Sequence, residues 1–168
     1  EALTHGGYKT PDERYICSLC YPNLIYEKNA IEASRERVIK QLEKVGFGEL
    51  FYNIPIILLN QSELLEKSQT TYHKSLKGFT VINKKANTAD NYTIYILNNL
   101  HQIEFDAVLA HEYLHVWQNN YNIFLSDSDA EGLSNLASEL IYKNYDNTFS
   151  KILNDNLIAN NDQIYGEG

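Results

Sequence analysis

The sequence predicts an α+β protein, with a small β-sheet early in the chain and a helical half after it. Three observations carry that expectation. The runs "NIPIILLN" (53–60), "KGFTVIN" (77–83) and "NYTIYILN" (91–98) are rich in β-branched and aromatic residues, as strands of one sheet would be. From about residue 102 the apolar residues recur at three- and four-residue steps instead. At 168 residues the chain has the length of one domain, large enough to bury a core without covalent staples.

Taken in order, residues 1–23 read as an irregular lead-in, punctuated by Gly6-Gly7, Pro11-Asp12 and Pro22-Asn23. The main domain is expected over 24–168. It opens with a helix in "EKNAIEASRERVIKQLEKVG", where Ile31, Val38, Ile39, Leu42 and Val45 fall near helical spacing and Gly46 stops it. "QSELLEKS", after the first strand, reads as a helical turn. Ile103, Ala107, Val108, Ala110, Leu114 and Trp117 mark the next helix. A polar turn, "SDSD", precedes a helix over roughly 128–144, and a last helix is expected over about 148–160.

Composition excludes some functions. A hydrophobic fraction of 43% and a charged fraction of 21% are ordinary for a globular protein. A net charge of −8 without a basic stripe argues against a nucleic-acid partner. No apolar run reaches the length of a membrane span, and no signal-peptide pattern is visible. Starting at Glu1 rather than Met, the chain is expected to be a trimmed product, so no compartment is assigned. Cys17 and Cys20 form a single Cys-x-x-Cys pair, which suits half of a zinc module, a disulfide or two plain thiols.

The chemistry concentrates in "LAHEYLHVWQNN" (109–120). On a helix His111 and His115 lie one turn apart on one face, so both imidazoles can reach one ion. Glu112 sits one position along, suited to take a proton from a water on that ion rather than to bind it. The chain's own His and Glu frequencies give roughly a one per cent chance of such a match. A third ligand from a later histidine would need Gly at 118 and His at 121, where this chain has Gln118 and Tyr121. That leaves a glutamate on the next helix, and Glu131, followed by Gly132, is the candidate. A capping role for Glu131 with Ser128 competes with this, although Ser126 and Asp129 offer another cap pair. Asn135, four residues on, could accept a hydrogen bond from a histidine's distal N–H. An oxyanion donor is expected among His101, Tyr121, Tyr142 and Tyr145, with no choice between them.

The stretch "LAHEYLHVW…SDAEGLSNLASELIY" resembles the peptidase domain of the ubiquitin-activated, LIM-associated peptidases that limit organ growth in plants, and of their bacterial relatives. Their pattern is Ala-His-Glu-x-x-His-x-Trp followed by a Glu-Gly-x-x-Gln helix; this chain carries Asn135 at the Gln position. "DERYICSLC", "NIPIILLN", "KGFT" and "QIYGEG" are similar to further parts of that family. The resemblance implies a zincin-like fold and a gluzincin-type metallopeptidase acting on a protein or peptide. Zinc would be held by His111, His115 and Glu131, with Glu112 as general base. It further implies chain ends cut within a zinc module before residue 1 and before a last helix. No ubiquitin-interacting helix or complete LIM domain is present, so ubiquitin control is not carried over. The rival expectation is a zinc-binding module that keeps the ligands without catalysis; the presence of Glu112 argues for the enzyme.

Overall fold

The computed structural model describes residues 6–48, 52–69, 76–83 and 91–159. "QIYGEG" lies outside them. The architecture is α+β, as expected. A short hairpin, β1 (Gly7–Lys9) and β2 (Tyr15–Cys17), leads through a 3-10 turn at Tyr21–Asn23 to β3 (Leu24–Ile25) and α1 (Lys28–Lys44). β4 (Ile56–Leu59), α2 (Gln61–Ser68), β5 (Gly78–Asn83), β6 (Asn91–Leu97) and β7 (Leu100–His101) follow. The chain then turns helical: α3 (Gln102–Asn120), α4 (Asp127–Tyr145) and α5 (Thr148–Ile158). The helix and strand expectations from residue 27 onward hold to within a few residues at their ends.

Two elements are more regular than their sequences suggest. The lead-in contains a paired hairpin, in which Tyr8 lies opposite Ile16. Its hold on the domain comes from far along the chain: the Arg14 guanidinium donates to the carbonyl and side-chain oxygens of Asn98. "QSELLEKS" is a two-turn helix because Asn60 and Glu63 cap it reciprocally, each side chain accepting from the other's backbone N–H.

Asp12 ties the hairpin to α2. Its carboxylate accepts from Arg14, from the Thr10 hydroxyl and from the Gln61 N–H. Burial alone would raise its pKa, but these donors hold it down at about 2, against 3.8 ordinarily. A depressed carboxylate stabilises the fold above its ordinary value and loses that contribution as the pH falls through its folded value. The tie is therefore full at neutral pH, weakens below pH 3.8 and is released near pH 2. Backbone amide signals of Tyr8 and Ile16, followed by NMR, should report a hairpin transition in that window; Asp12→Asn should remove it.

The larger sheet runs β4-β6-β5, with β4 parallel and β5 antiparallel to the central β6. Its residues Ile94 and Ile96 are fully buried. α1 packs its Val38, Ile39 and Leu42 face into the same core as Phe105, Leu109 and Tyr113 of α3. α1, α3 and α4 are also pinned through Asp106. This buried carboxylate takes a two-pronged bond from Arg37 and a 2.6 Å bond from the Tyr145 hydroxyl. Among the described residues no helix is long and apolar enough to cross a membrane.

Candidate metal centre

α3 is apolar around most of its circumference, which suits a helix enclosed on several sides. His111 and His115 interrupt that apolar surface on the side facing α4. α4 is capped by Ser126, whose hydroxyl accepts from the Asp129 N–H and donates to the Asp129 carboxylate. With that cap satisfied, Glu131 is free to turn toward α3. The two helices are held together by Gln118, which donates to the Ala130 carbonyl, and by Ser138, which donates to the Ala107 carbonyl. Small residues at this seam, including the buried Gly132, Ser134 and Ala137, suit close packing.

Three side chains meet at one point. The Nε2 atoms of His111 and His115 are 3.0 Å apart. Glu131 places Oε2 3.1 Å from His111 Nε2 and Oε1 3.4 Å from His115 Nε2. Ligands on a tetrahedral ion with bonds of about 2.0–2.1 Å stand about 3.3 Å from one another, so these separations suit one small cation. A second observation agrees: Glu131 Oε2 is buried and, among the described residues, has no partner that meets hydrogen-bond geometry. The group could hold a metal ion. It is the three-residue set expected from the sequence.

Electrostatics follow from this crowding. Burial alone would raise the Glu131 pKa, yet the two imidazoles beside it hold it at about 2. His115 is raised despite burial, because Glu131 and Glu112 stabilise its protonated form. A cation entering the site would take over the role of that proton, so uptake releases protons.

Glu112 is buried and does not join the three converging groups. Its carboxylate is fixed from β5: the Thr80 hydroxyl donates to Oε2 at 2.8 Å. The other oxygen, Oε1, faces Gly78, where an added Cβ would sit 3.1 Å from it and 2.7 Å from Val108 Cγ1. Glycine there keeps space open beside the carboxylate. Neither Thr80 nor Gly78 carries a signal in the sequence, since each lies more than 30 residues from Glu112 and meets it only through the packing of sheet on helix.

β5, not β6, is the outer strand beside α3 among the described residues. The sequence leaves both 77–83 and 91–98 as candidates for an edge; the latter is the sheet's centre. The Leu97 N–H bonds to the Lys77 carbonyl at 2.8 Å, which sets the phase of the β5–β6 ladder. By the antiparallel alternation, the N–H and C=O groups of Gly78, Thr80 and Ile82 then point away from β6, along the cleft.

The remaining sequence candidates separate clearly. At His115 the distal Nδ1 faces Ser134 Oγ at 3.5 Å, and Gln118 donates to that same oxygen. Ser134 thus meets the distal nitrogen of His115, and Asn135 lines the cavity beside His111 and Glu112. Ser134 lies three residues after Glu131 on the same helix face, a spacing visible in the sequence.

Of the four oxyanion candidates, Tyr142 alone lines the cavity beside His111 and Glu112. His101 caps α3, accepting from the Ile103 N–H, and lies ten residues or about 15 Å of helix rise before His111. Tyr145 is occupied with Asp106 and Gln102. Tyr121 caps the other end of α3, exposed and tilted against Trp117. Tyr142 lines the cavity but lies eleven residues beyond Glu131, a rise of about 16 Å; burial raises its pKa, so it stays a protonated hydroxyl.

Cys17 ends β2 and Cys20 begins the 3-10 turn, joined by the Cys20 N–H to the Cys17 carbonyl at 3.1 Å. Both are free thiols. Burial and its neighbour push Cys20 up to about 11, while hydrogen bonds from Cys20 lower Cys17. Among the described residues no third ligand joins them in a metal-holding group.

Comparison with known proteins finds no matching protein-family model, no matching curated protein and no matching solved structure.

Proposed function

We propose that the chain is a zinc-dependent peptidase of the gluzincin type, with a zincin-like fold. The observation that carries this is the meeting of His111, His115 and Glu131 at one point, with the Glu112 carboxylate held apart from them by Thr80. Two imidazoles and one carboxylate, with a coordination position left over, form a donor set suited to catalytic zinc. Bound there, zinc would lower the pKa of a water molecule and polarise a carbonyl. The resemblance to the plant peptidase family points the same way.

The chain's own residues divide the remaining work. Glu112 accepts the proton of the attacking water and delivers it to the leaving amine. Thr80 fixes Oε2, which leaves Oε1, beside Gly78, for that proton. Ser134, steadied by Gln118, receives the distal N–H of His115 and so directs its Nε2 toward the metal. An extended peptide would pair with the outward N–H and C=O groups of Gly78, Thr80 and Ile82. That places its backbone across the mouth of the site.

The test is metal analysis coupled to digestion. Purified protein is expected to bind about one equivalent of zinc and to cut a mixed peptide library, with cleavage stopped by a chelator and restored by zinc. Less than roughly a tenth of an equivalent of tightly held zinc after incubation with the ion would sink the reading.

A further inference from the structure

Cys17 and Cys20 take no part in the site above, yet the chain builds a specific setting for them. The Cys20 N–H bonds to the Cys17 carbonyl at 3.1 Å, closing a four-residue turn, Cys17-Ser18-Leu19-Cys20. Such a turn holds its end Cα atoms within about 7 Å, the outer limit for a disulfide that leaves the backbone in place. The side chains meet across it. The Cys20 thiol donates to the Cys17 sulfur, and the backbone N–H groups of Cys20 and Leu19 donate to it as well. These donors favour a thiolate at Cys17. At Cys20, burial first and then the neighbouring sulfur and Glu104 of α3 push the thiol up to about 11. One sulfur is prepared to attack, and the other keeps its proton.

Access and anchoring complete the setting. Both cysteines are only half-buried, and Leu19, at the tip of the turn, is 80% exposed. The turn does not need an S–S bond to hold its place, since Arg14 on Asn98 and Asp12 on Gln61 already fasten the hairpin. A ring of four residues removes little chain entropy, so the bond suits exchange better than stapling. We propose that Cys17 and Cys20 are a reversible dithiol–disulfide pair that reacts with small-molecule disulfides, Cys17 as nucleophile and Cys20 as resolving thiol. The Cys17 thiolate attacks one sulfur of the disulfide, forms a mixed disulfide and expels a thiolate, which takes up the proton Cys17 had released to water. Cys20 then attacks the Cys17 sulfur, and its proton leaves with the second departing thiolate. Two protein thiols are oxidised, and one disulfide is reduced to two thiols.

The test is incubation of the reduced chain with glutathione disulfide near neutral pH, read by intact mass spectrometry, and it needs no cleavage. Wild type should lose two hydrogens and retain no glutathione, and dithiothreitol should restore the starting mass. Cys20→Ser, whose hydroxyl still donates to Cys17, should stop with one glutathione attached. Cys17→Ser leaves only the proton-holding thiol and should form its adduct at least about tenfold more slowly than Cys20→Ser. Wild type that accumulates the mixed disulfide would overturn the pairing, and equal adduct rates in the two variants would overturn the division of roles. A third outcome would overturn the proposal in favour of a metal-holding pair: added zinc blocks the reaction, and both variants bind about one equivalent less zinc than wild type.

Discussion

Glu112→Gln is expected to keep zinc and lose cleavage. The amide has the same size and can still accept from Thr80, whose hydroxyl lies 2.8 Å from Oε2. It cannot take a proton from water. General-base catalysis contributes roughly a hundred- to ten-thousand-fold, and that is the expected drop in kcat. Zinc content should stay near wild type, because Glu112 is not one of the three converging groups. Parallel measurement of metal and rate therefore separates a catalyst from a zinc-binding module. Equal activity in variant and wild type would refute the role given to Glu112.

Glu131→Ala is expected to act on the metal itself. Removing an outer hydrogen-bond partner of a ligand costs about 10- to 100-fold in metal affinity, so removing a ligand should cost more than about a hundredfold. Cleavage should disappear with it. The variant also separates two accounts of the His–Glu–His cluster by a thermal scan. If the cluster serves as a metal site, zinc at a hundred times its Kd stabilises the wild type by about 2.7 kcal/mol, and the variant by much less. If the cluster is only an internal hydrogen-bonded group, zinc shifts the melting of neither.

The sequence made the helical half legible because its signals are local. His111 and His115 are four residues apart on one helix, and Ser126 with Asp129 announces the start of the next. Glu131 followed from those two facts. What stayed hidden depends on contacts between distant parts of the chain. Thr80 reaches Glu112 across 32 positions and Arg14 reaches Asn98 across 84. Neither threonine nor arginine is an unusual residue where it stands. The hairpin of residues 7–17 escaped notice because three-residue strands are too short to show alternation. The choice of β5 over β6 as the outer strand was equally closed to sequence, since both runs are rich in β-branched and aromatic residues and only pairing order tells them apart. The sequence offered no choice among the oxyanion candidates for a related reason: with 13 tyrosines in the chain, residue type alone selects nothing.

α3 has a further consequence for how this protein tolerates change. It touches α1, α4, α5, β3, β5, β6 and β7, and 11 of its 19 residues are buried. A substitution on its inner faces must therefore disturb packing and the aim of the histidines together. Folding and chemistry share one element, and neither can drift there without the other. The walls of the cleft are different. Leu153 and Leu157 sit on a peripheral helix whose one fully enclosed side chain is Ser150. Change can accumulate on α5 while the helix that carries His111 and His115 stays fixed, so the cavity wall can vary while the three converging side chains keep their places.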